Sequence, residues 1–230
     1  MAATIRFLGH SAFLISAGEA RILIDPFLTG NPSAERAGIK ASDLNPTHIL
    51  ITHAHADHLG DAPEIARRTG AEVIANHEIS EWLAAEHTIT RTNPGNPGGR
   101  VPTSFGSVDF TQAVHSSSLD SVSPTLSMGL AAGLVVRTQG IAIYHAGDTA
   151  LFSDMKLIGE LHRPDVAILP VGDRYTMGPA HATIAAEWIG ARTVIPCHYD
   201  TWPPIAADLS LLRPRDIRVR ALKPGETLEV

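Results

Sequence analysis

Residues 48–58 read HILITHAHADH, an apolar run that leads directly into three histidines and one aspartate within six positions. A short apolar run bounded by polar residues, here Ile49 to Ile51, indicates a β-strand. If the chain is still extended at His53 and His55, the two-residue period places both imidazoles on the same side, where they can bind one ion. Asp57 and His58 follow as the chain turns toward a helix, so we expect them to face a neighbouring point.

The composition excludes several classes of protein. The chain has 230 residues, 44% of them hydrophobic, and 18 basic against 24 acidic side chains give a net charge of −6. With no cationic track and only three lysines among the basic residues, nucleic-acid binding is disfavoured. The single Cys197 excludes an intramolecular disulfide. The longest uncharged stretch, 121–136, is too short and polar to span a membrane, so we expect a cytoplasmic protein.

The alternation of elements indicates an α/β fold. Short apolar runs at 5–9, 12–16, 21–26 and 48–52 predict strands, and Asp61, an early proline and Glu64 predict a capped helix that ends at Gly70. The Pro/Gly-rich segment 93–102 predicts a loop between two halves. The second half again alternates, with strands predicted at 108–114, 133–138, 141–147, 166–172 and 193–198, and helices at 150–161 and 182–190. We predict a single domain, 1–230, with two sheets face to face and helices outside.

Three further metal-ligand candidates, His115, Asp148 and His198, each follow an apolar strand, the position where a sheet places functional groups. A pair of metal ions about 3.5 to 4 Å apart needs more ligands than residues 53–58 supply. We therefore expect these three side chains to complete the site.

The pattern His-x-His-x-Asp-His, a later strand-end histidine, Gly-Asp-Thr and a final strand-end histidine resembles the metallo-β-lactamase fold hydrolases. The segments LGHSAFLI, LIDPFLTGNP, VHSSS, IYHAGDT, VGDRYTMGP and PCHYDTWP are similar to uncharacterised cytoplasmic metal-dependent hydrolases of bacteria and archaea, a branch related to the ascorbate-phosphate lactonases. The resemblance implies a four-layer αββα sandwich, two mixed sheets with helices outside, and a dinuclear site.

The resemblance also assigns the ligands. It implies His53, His55 and His115 on the first metal and Asp57, His58 and His198 on the second, with Asp148 bridging the two. Imidazoles and carboxylates without thiolates suit zinc, manganese, nickel or iron; we expect two divalent ions, with zinc the first choice and manganese the second.

Other residues receive supporting roles. Asp57 is the candidate catalytic residue, orienting a metal-bridging hydroxide and passing a proton to the leaving group. His10 and Asp25 are candidates for hydrogen-bonding a metal imidazole, and His145 is a further candidate beside the site. Arg174 and Tyr175 lie in a predicted loop that the resemblance places at the mouth of the site, where Arg174 is either an anion contact or a solvated surface residue. His181 begins a helix, and the sequence gives it no role.

The function that follows is hydrolysis of an ester, lactone, amide or phosphodiester bond in a small molecule by a metal-bridging hydroxide. Three alternatives stay open: a phosphodiesterase or RNA-processing nuclease of the same fold, a non-hydrolytic redox protein, and a metal-binding scaffold without turnover. We expect no nucleic-acid or membrane partner, and a homo-oligomer stays an alternative to a monomer.

Overall fold

The computed structural model describes residues 3–120 and 122–230. The strands are, in chain order, β1 (Thr4–Gly9), β2 (Ala12–Ala17), β3 (Ala20–Ile24), β4 (His48–Leu50), β5 (Glu72–Ile74), β6 (Arg100–Thr103), β7 (Gly106–Gln112), β8 (Ser118–Leu119), β9 (Leu126–Ser127), β10 (Ala132–Thr138), β11 (Ile141–His145), β12 (Val166–Pro170), β13 (Thr193–Cys197), β14 (Arg218–Val219) and β15 (Thr227–Glu229). The helices are α1 (Pro32–Arg36), α2 (Ala56–Leu59), α3 (Ala62–Thr69), α4 (His77–His87), α5 (Met155–His162) and α6 (Pro179–Ile189).

The strands form two mixed sheets and a small hairpin. The first sheet has the order β15-β1-β2-β3-β4-β5, the second has the order β14-β13-β12-β11-β10-β7-β6, and β8 pairs with β9. In the first sheet β3, β4 and β5 run parallel. In the second, β11 to β14 run parallel. The remaining pairs in both sheets are antiparallel.

The layers lie in the order helix, sheet, sheet, helix, and three clusters of buried hydrophobic residues pack between them. β3 illustrates the packing, since Ile22 and Ile24 join the core between the two sheets while Leu23 joins the core under α1 to α4. The second sheet has the same alternation, with its outer face packed against α5 and α6. Burying each such side chain contributes about 1.5 to 3 kcal/mol. The predicted αββα sandwich is therefore confirmed.

The two sheets meet along one edge, where the metal-ligand candidates lie. The backbone N–H of His198, which follows β13, donates to the carbonyl of His10 in the β1–β2 turn at 2.9 Å. The N–H of Ala132 donates to the carbonyl of Thr52 at 3.0 Å. Because the carboxyl ends of β3, β4, β11 and β13 all reach this edge, the loops that follow them converge there.

Local details differ from the sequence predictions. Asp61 does begin α3 at its N-terminus, but its side chain caps nothing there; Oδ2 instead accepts the N–H groups of Leu28 and Thr29, both at 2.9 Å. The loop predicted at 93–102 ends early, because β6 begins at Arg100. Helix α5 begins only at Met155.

Within residues 3–120 and 122–230, no helix has both the length and the apolar character that a membrane-spanning segment requires.

Candidate metal centre

The structure brings all seven predicted ligands to the edge shared by the two sheets. Their donor atoms form three overlapping groups, and within each group the atoms lie within 4.8 Å of one another. The groups are His53, His55 and His115; His53, His58 and Asp148; and His10, Asp57, His58 and His198. The third group contains one residue, His10, that the sequence prediction did not count as a ligand.

The first group is built from imidazoles alone. His53 and His55 follow β4, and their Nε2 and Nδ1 atoms are 3.0 Å apart. The ring of His115 is 5.2 Å from that of His53 and 5.1 Å from that of His55, centroid to centroid. His115 does not end its strand as the sequence suggested, because β7 stops at Gln112 and three loop residues later the chain presents this imidazole.

Asp148 lies between the imidazoles of the first group and those of the third. Its Oδ2 is 3.0 Å from Nε2 of His198 and 3.6 Å from Nε2 of His115. Its Oδ1 is 3.3 Å from Nε2 of His58. One buried carboxylate therefore faces nitrogen atoms that arrive from three separate segments of the chain.

Two of these facing atoms are buried and make no hydrogen bond with the described residues: Nε2 of His58 and Oδ1 of Asp148. Leaving a buried polar atom unsatisfied costs about 1 to 3 kcal/mol. A cation held between them would satisfy both atoms at once. The donor set, imidazole nitrogens with carboxylate oxygens, is one that zinc, manganese, nickel and iron accept. The residues present therefore fit a divalent metal ion.

The side chain of Asp25 determines which nitrogen atoms face the centre. It is fully buried and accepts hydrogen bonds from Nδ1 of His58 at 2.7 Å and from the Thr52 hydroxyl at 2.7 Å. Because that hydroxyl donates to Asp25, it accepts from Nδ1 of His53, 3.0 Å away. Both imidazoles thus carry a proton on Nδ1 and turn Nε2 toward the centre.

His10 contacts a carboxylate and not an imidazole nitrogen. Its Nε2 is 3.0 Å from Oδ2 of Asp57, and its Nδ1 is 2.8 Å from the Thr201 hydroxyl. Burial lowers the pKa of His10 to about 4. The hydrogen bond that His10 donates to Asp57 opposes this shift, and the nearby His198 adds to it. The ring is therefore neutral near pH 7, and with one proton it donates from Nε2 to Asp57 while Nδ1 accepts from Thr201.

The charges at the centre favour a cation. Burial alone would raise the pKa of Asp148, but His198 and His58 hold it well below its ordinary value. Burial likewise opposes ionisation of Asp57, yet His58, His10 and His198 lower its pKa. Both side chains are therefore carboxylates near pH 7. Against its own burial, these carboxylates and Asp25 raise the pKa of His58 above 6.5, so the centre attracts positive charge.

The remaining candidates lie outside the donor groups. His145 is fully buried; it pairs through Nε2 with the carbonyl of Ser11 at 3.1 Å, and the N–H of Gly147 donates to its Nδ1 at 3.0 Å. It thus connects the turn that carries His10 to the loop that carries Asp148. Arg174 and Tyr175 are exposed, with the guanidinium 5.6 Å from the centre of the tyrosine ring.

Sequence reasoning missed two hydroxyls, those of Thr52 and Thr201. Each contacts a histidine that the sequence had singled out. Thr52 directly precedes His53, a signal that the sequence did carry. Thr201 lies 191 positions from His10, so only the folded chain reveals that pair.

Comparison with known proteins decides the family. Residues 20–199 match the model of the beta-lactamase superfamily domain. The chain belongs to the beta-lactamase superfamily. A UPF0173 metal-dependent hydrolase of Geobacillus thermodenitrificans is 47% identical to it over 231 residues, which cover 98% of this chain and 99% of that protein. A UPF0173 metal-dependent hydrolase of Thermococcus onnurineus is 48% identical, with the same coverage.

A solved structure of a metallo hydrolase agrees with the fold. Igni18, described as a novel metallo hydrolase from the archaeon Ignicoccus hospitalis, superposes with a TM-score of 0.86 at 36% identity, over 100% of this chain and 99% of that one. The resemblance inferred from the motifs is confirmed, and the chain is a metal-dependent hydrolase of the beta-lactamase superfamily.

Proposed function

We propose that this beta-lactamase superfamily member is a dinuclear metallohydrolase that cleaves an ester, lactone, amide or phosphodiester bond of a small molecule. The observation that carries the proposal is the position of Asp148, whose two oxygens lie 3.0 to 3.6 Å from nitrogens of His198, His58 and His115. A carboxylate with imidazoles on both sides is suited to bridging two cations.

The ligand assignment draws on the donor groups but leaves out His10, whose Nε2–H is donated to Asp57. His53, His55 and His115 would hold one ion, and Asp57, His58 and His198 the other, with Asp148 shared. Zinc is the first choice and manganese the second, with nickel and iron compatible with the same ligands. Bound there, such ions polarise the scissile group and lower the pKa of water toward neutrality.

Asp57 is the residue that we assign to proton transfer. It is an ionised carboxylate near pH 7, partly open to solvent, with 25% of its side chain exposed. One of its oxygens, Oδ2, is held by Nε2–H of His10. The fixed carboxylate can accept a proton from the attacking water and deliver it to the leaving group.

Metal analysis tests the proposal. We expect elemental mass spectrometry of the purified protein to find two divalent ions per chain, and fewer than one in Asp148→Ala. Asp216→Ala, a change of an exposed aspartate, serves as the matched control and should keep both ions. A panel of small esters, lactones, amides and phosphodiesters then identifies the bond. A wild-type protein with two metals but no turnover on this panel would support the metal-binding scaffold instead.

A further inference from the structure

A cavity of about 390 Å³ lies beside the candidate metal centre. It is bordered by the end of β1, by α1, by the residues after β13 and by the turn that precedes β15. None of the seven proposed metal ligands lines it. Its volume falls in the range of about 300 to 1,000 Å³ that is typical of small-molecule sites.

The cavity is connected to the metal centre through one side chain. His10 is among its lining residues, and the same imidazole contacts Oδ2 of Asp57 at 3.0 Å. The ring of His10 also lies 4.2 Å from that of His198, centroid to centroid. A molecule in the cavity is therefore one imidazole away from the carboxylate that we assign to proton transfer.

Two cationic side chains in the lining are free to bind a ligand. Arg36 and Lys223 line the cavity and are exposed. Among residues 3–120 and 122–230, neither of them forms an ion pair with a carboxylate. The cationic side chains that do are Arg68, Arg100, Arg137, Arg215 and Arg220. A guanidinium and an ammonium group at one cavity suit a carboxylate or a phosphate.

The rest of the lining supports an organic anion over an inorganic one. Phe7, Leu222 and Pro224 supply apolar surface that can cover a carbon skeleton. One carboxylate, Asp200, also lines the cavity, and its Oδ1 accepts the N–H of Ala207 at 3.0 Å. Two cations against one carboxylate leave the lining positive on a chain whose net charge is −6.

We infer that this cavity binds the anionic end of a small organic molecule, a carboxylate or a phosphate group, through Arg36 and Lys223. That the bound molecule is the substrate rests on the function proposed above, and the substrate class is then a small organic anion. The binding itself requires no turnover.

Calorimetric titration of the purified protein tests the inference with three probes that share one aromatic ring: phenyl phosphate, phenylacetate and neutral benzyl alcohol. We expect at least one of the two anions to bind and benzyl alcohol not to bind. Because charge-assisted hydrogen bonds are lost, the double variant Arg36→Gln/Lys223→Gln should raise the Kd of that anion about tenfold or more. The anion that binds more tightly identifies the group, phosphate or carboxylate.

Two controls make the outcome unambiguous. Lys40→Gln/Arg192→Gln removes the same charge from exposed side chains that do not line this cavity and should leave the Kd unchanged. His115→Ala removes a proposed metal ligand and should also leave it unchanged. Anion binding that survives Arg36→Gln/Lys223→Gln, or that disappears in His115→Ala, would overturn the inference and place the anion at the metals. Absence of hydrolysis alongside intact anion binding would overturn only the proposed function.

Discussion

Oδ2 of Asp25 accepts a hydrogen bond from Nδ1 of His58 at 2.7 Å, and both side chains are fully buried. The same carboxylate accepts from the Thr52 hydroxyl, which in turn faces His53. One buried carboxylate thus orients an imidazole in each half of the proposed dinuclear centre, without itself belonging to a donor group.

Asp25→Ala is expected to weaken metal binding about 10- to 100-fold, the usual effect of losing a partner that orients a metal imidazole. The removal also leaves Nδ1 of His58 buried without an acceptor, which lowers the free energy of unfolding by about 1 to 3 kcal/mol. Competition with a fluorescent chelator measures the affinity. Asp216→Ala, at an exposed aspartate, is the control. An Asp25→Ala protein with wild-type metal affinity would show that Asp25 does not orient the ligands.

Asp57→Ala is expected to lower kcat by orders of magnitude while most of the metal is retained, because His58 and His198 remain as ligands of the second ion. Steady-state kinetics on whichever substrate the panel identifies, together with metal analysis, gives both quantities. Unchanged turnover would remove Asp57 from the mechanism.

His10 acts on the reaction through Asp57, so its substitution separates hydrogen bonding from packing. The Nε2–H of His10 donates to Asp57, and its ring lies 5.1 Å from that of Trp202, centroid to centroid. His10→Gln, which keeps an N–H donor, should retain more of kcat than His10→Leu, which keeps only apolar volume. We expect a kcat about tenfold or more lower in His10→Leu, the size of one lost charge-assisted hydrogen bond. Equal kcat values in the two variants would contradict this positioning role.

The stability of the protein is expected to depend on pH through Asp109, which lies in β7 and belongs to none of the three donor groups. Burial raises its pKa, but hydrogen bonds from Arg100 and Arg137 lower it below its ordinary value. The folded pKa is therefore below the unfolded one, and the stabilisation is present at neutral pH and lost as the pH falls through the folded pKa.

Asp109→Asn tests that linkage. At pH 7 we expect the free energy of unfolding to fall by about 1 to 3 kcal/mol, since hydrogen bonds to a charged group are lost. The difference in free energy of unfolding between Asp109→Asn and the wild type should become smaller below about pH 4, where the carboxyl of the unfolded chain begins to protonate. Urea denaturation across this range measures it, with Asp216→Asn as the exposed control. A gap that does not change with pH would mean that the charge of Asp109 contributes nothing.

The sequence predicted the αββα architecture and the converging ligands because both depend on local signals. Apolar runs predict strands, and residues at strand ends reach a common edge, so His53, Asp148 and His198 could be placed before their contacts were known. The long-range side-chain contacts around these residues could not be predicted from the sequence. His10 meets Asp57 across 47 positions and Thr201 across 191, and no period in the sequence encodes such a pairing.

Competition between local partners explains the remaining differences. Asp61 has the residue type and spacing of a helix cap. Its carboxylate instead accepts hydrogen bonds from the backbone N–H groups of Leu28 and Thr29. His48, at the start of β4, is buried, with Nδ1 2.8 Å from the Thr47 hydroxyl and Nε2 3.1 Å from that of Ser104. These two hydroxyls satisfy both ring nitrogens of the buried imidazole.

The central claim is that the histidines and carboxylates at the shared sheet edge hold two metal ions. Anomalous diffraction from crystals of the metal-loaded protein tests it most directly. We predict two anomalous peaks about 3.5 to 4 Å apart, one beside His53, His55 and His115, the other beside Asp57, His58 and His198, with Asp148 contacting both. A single peak, or peaks away from Asp148, would contradict the account.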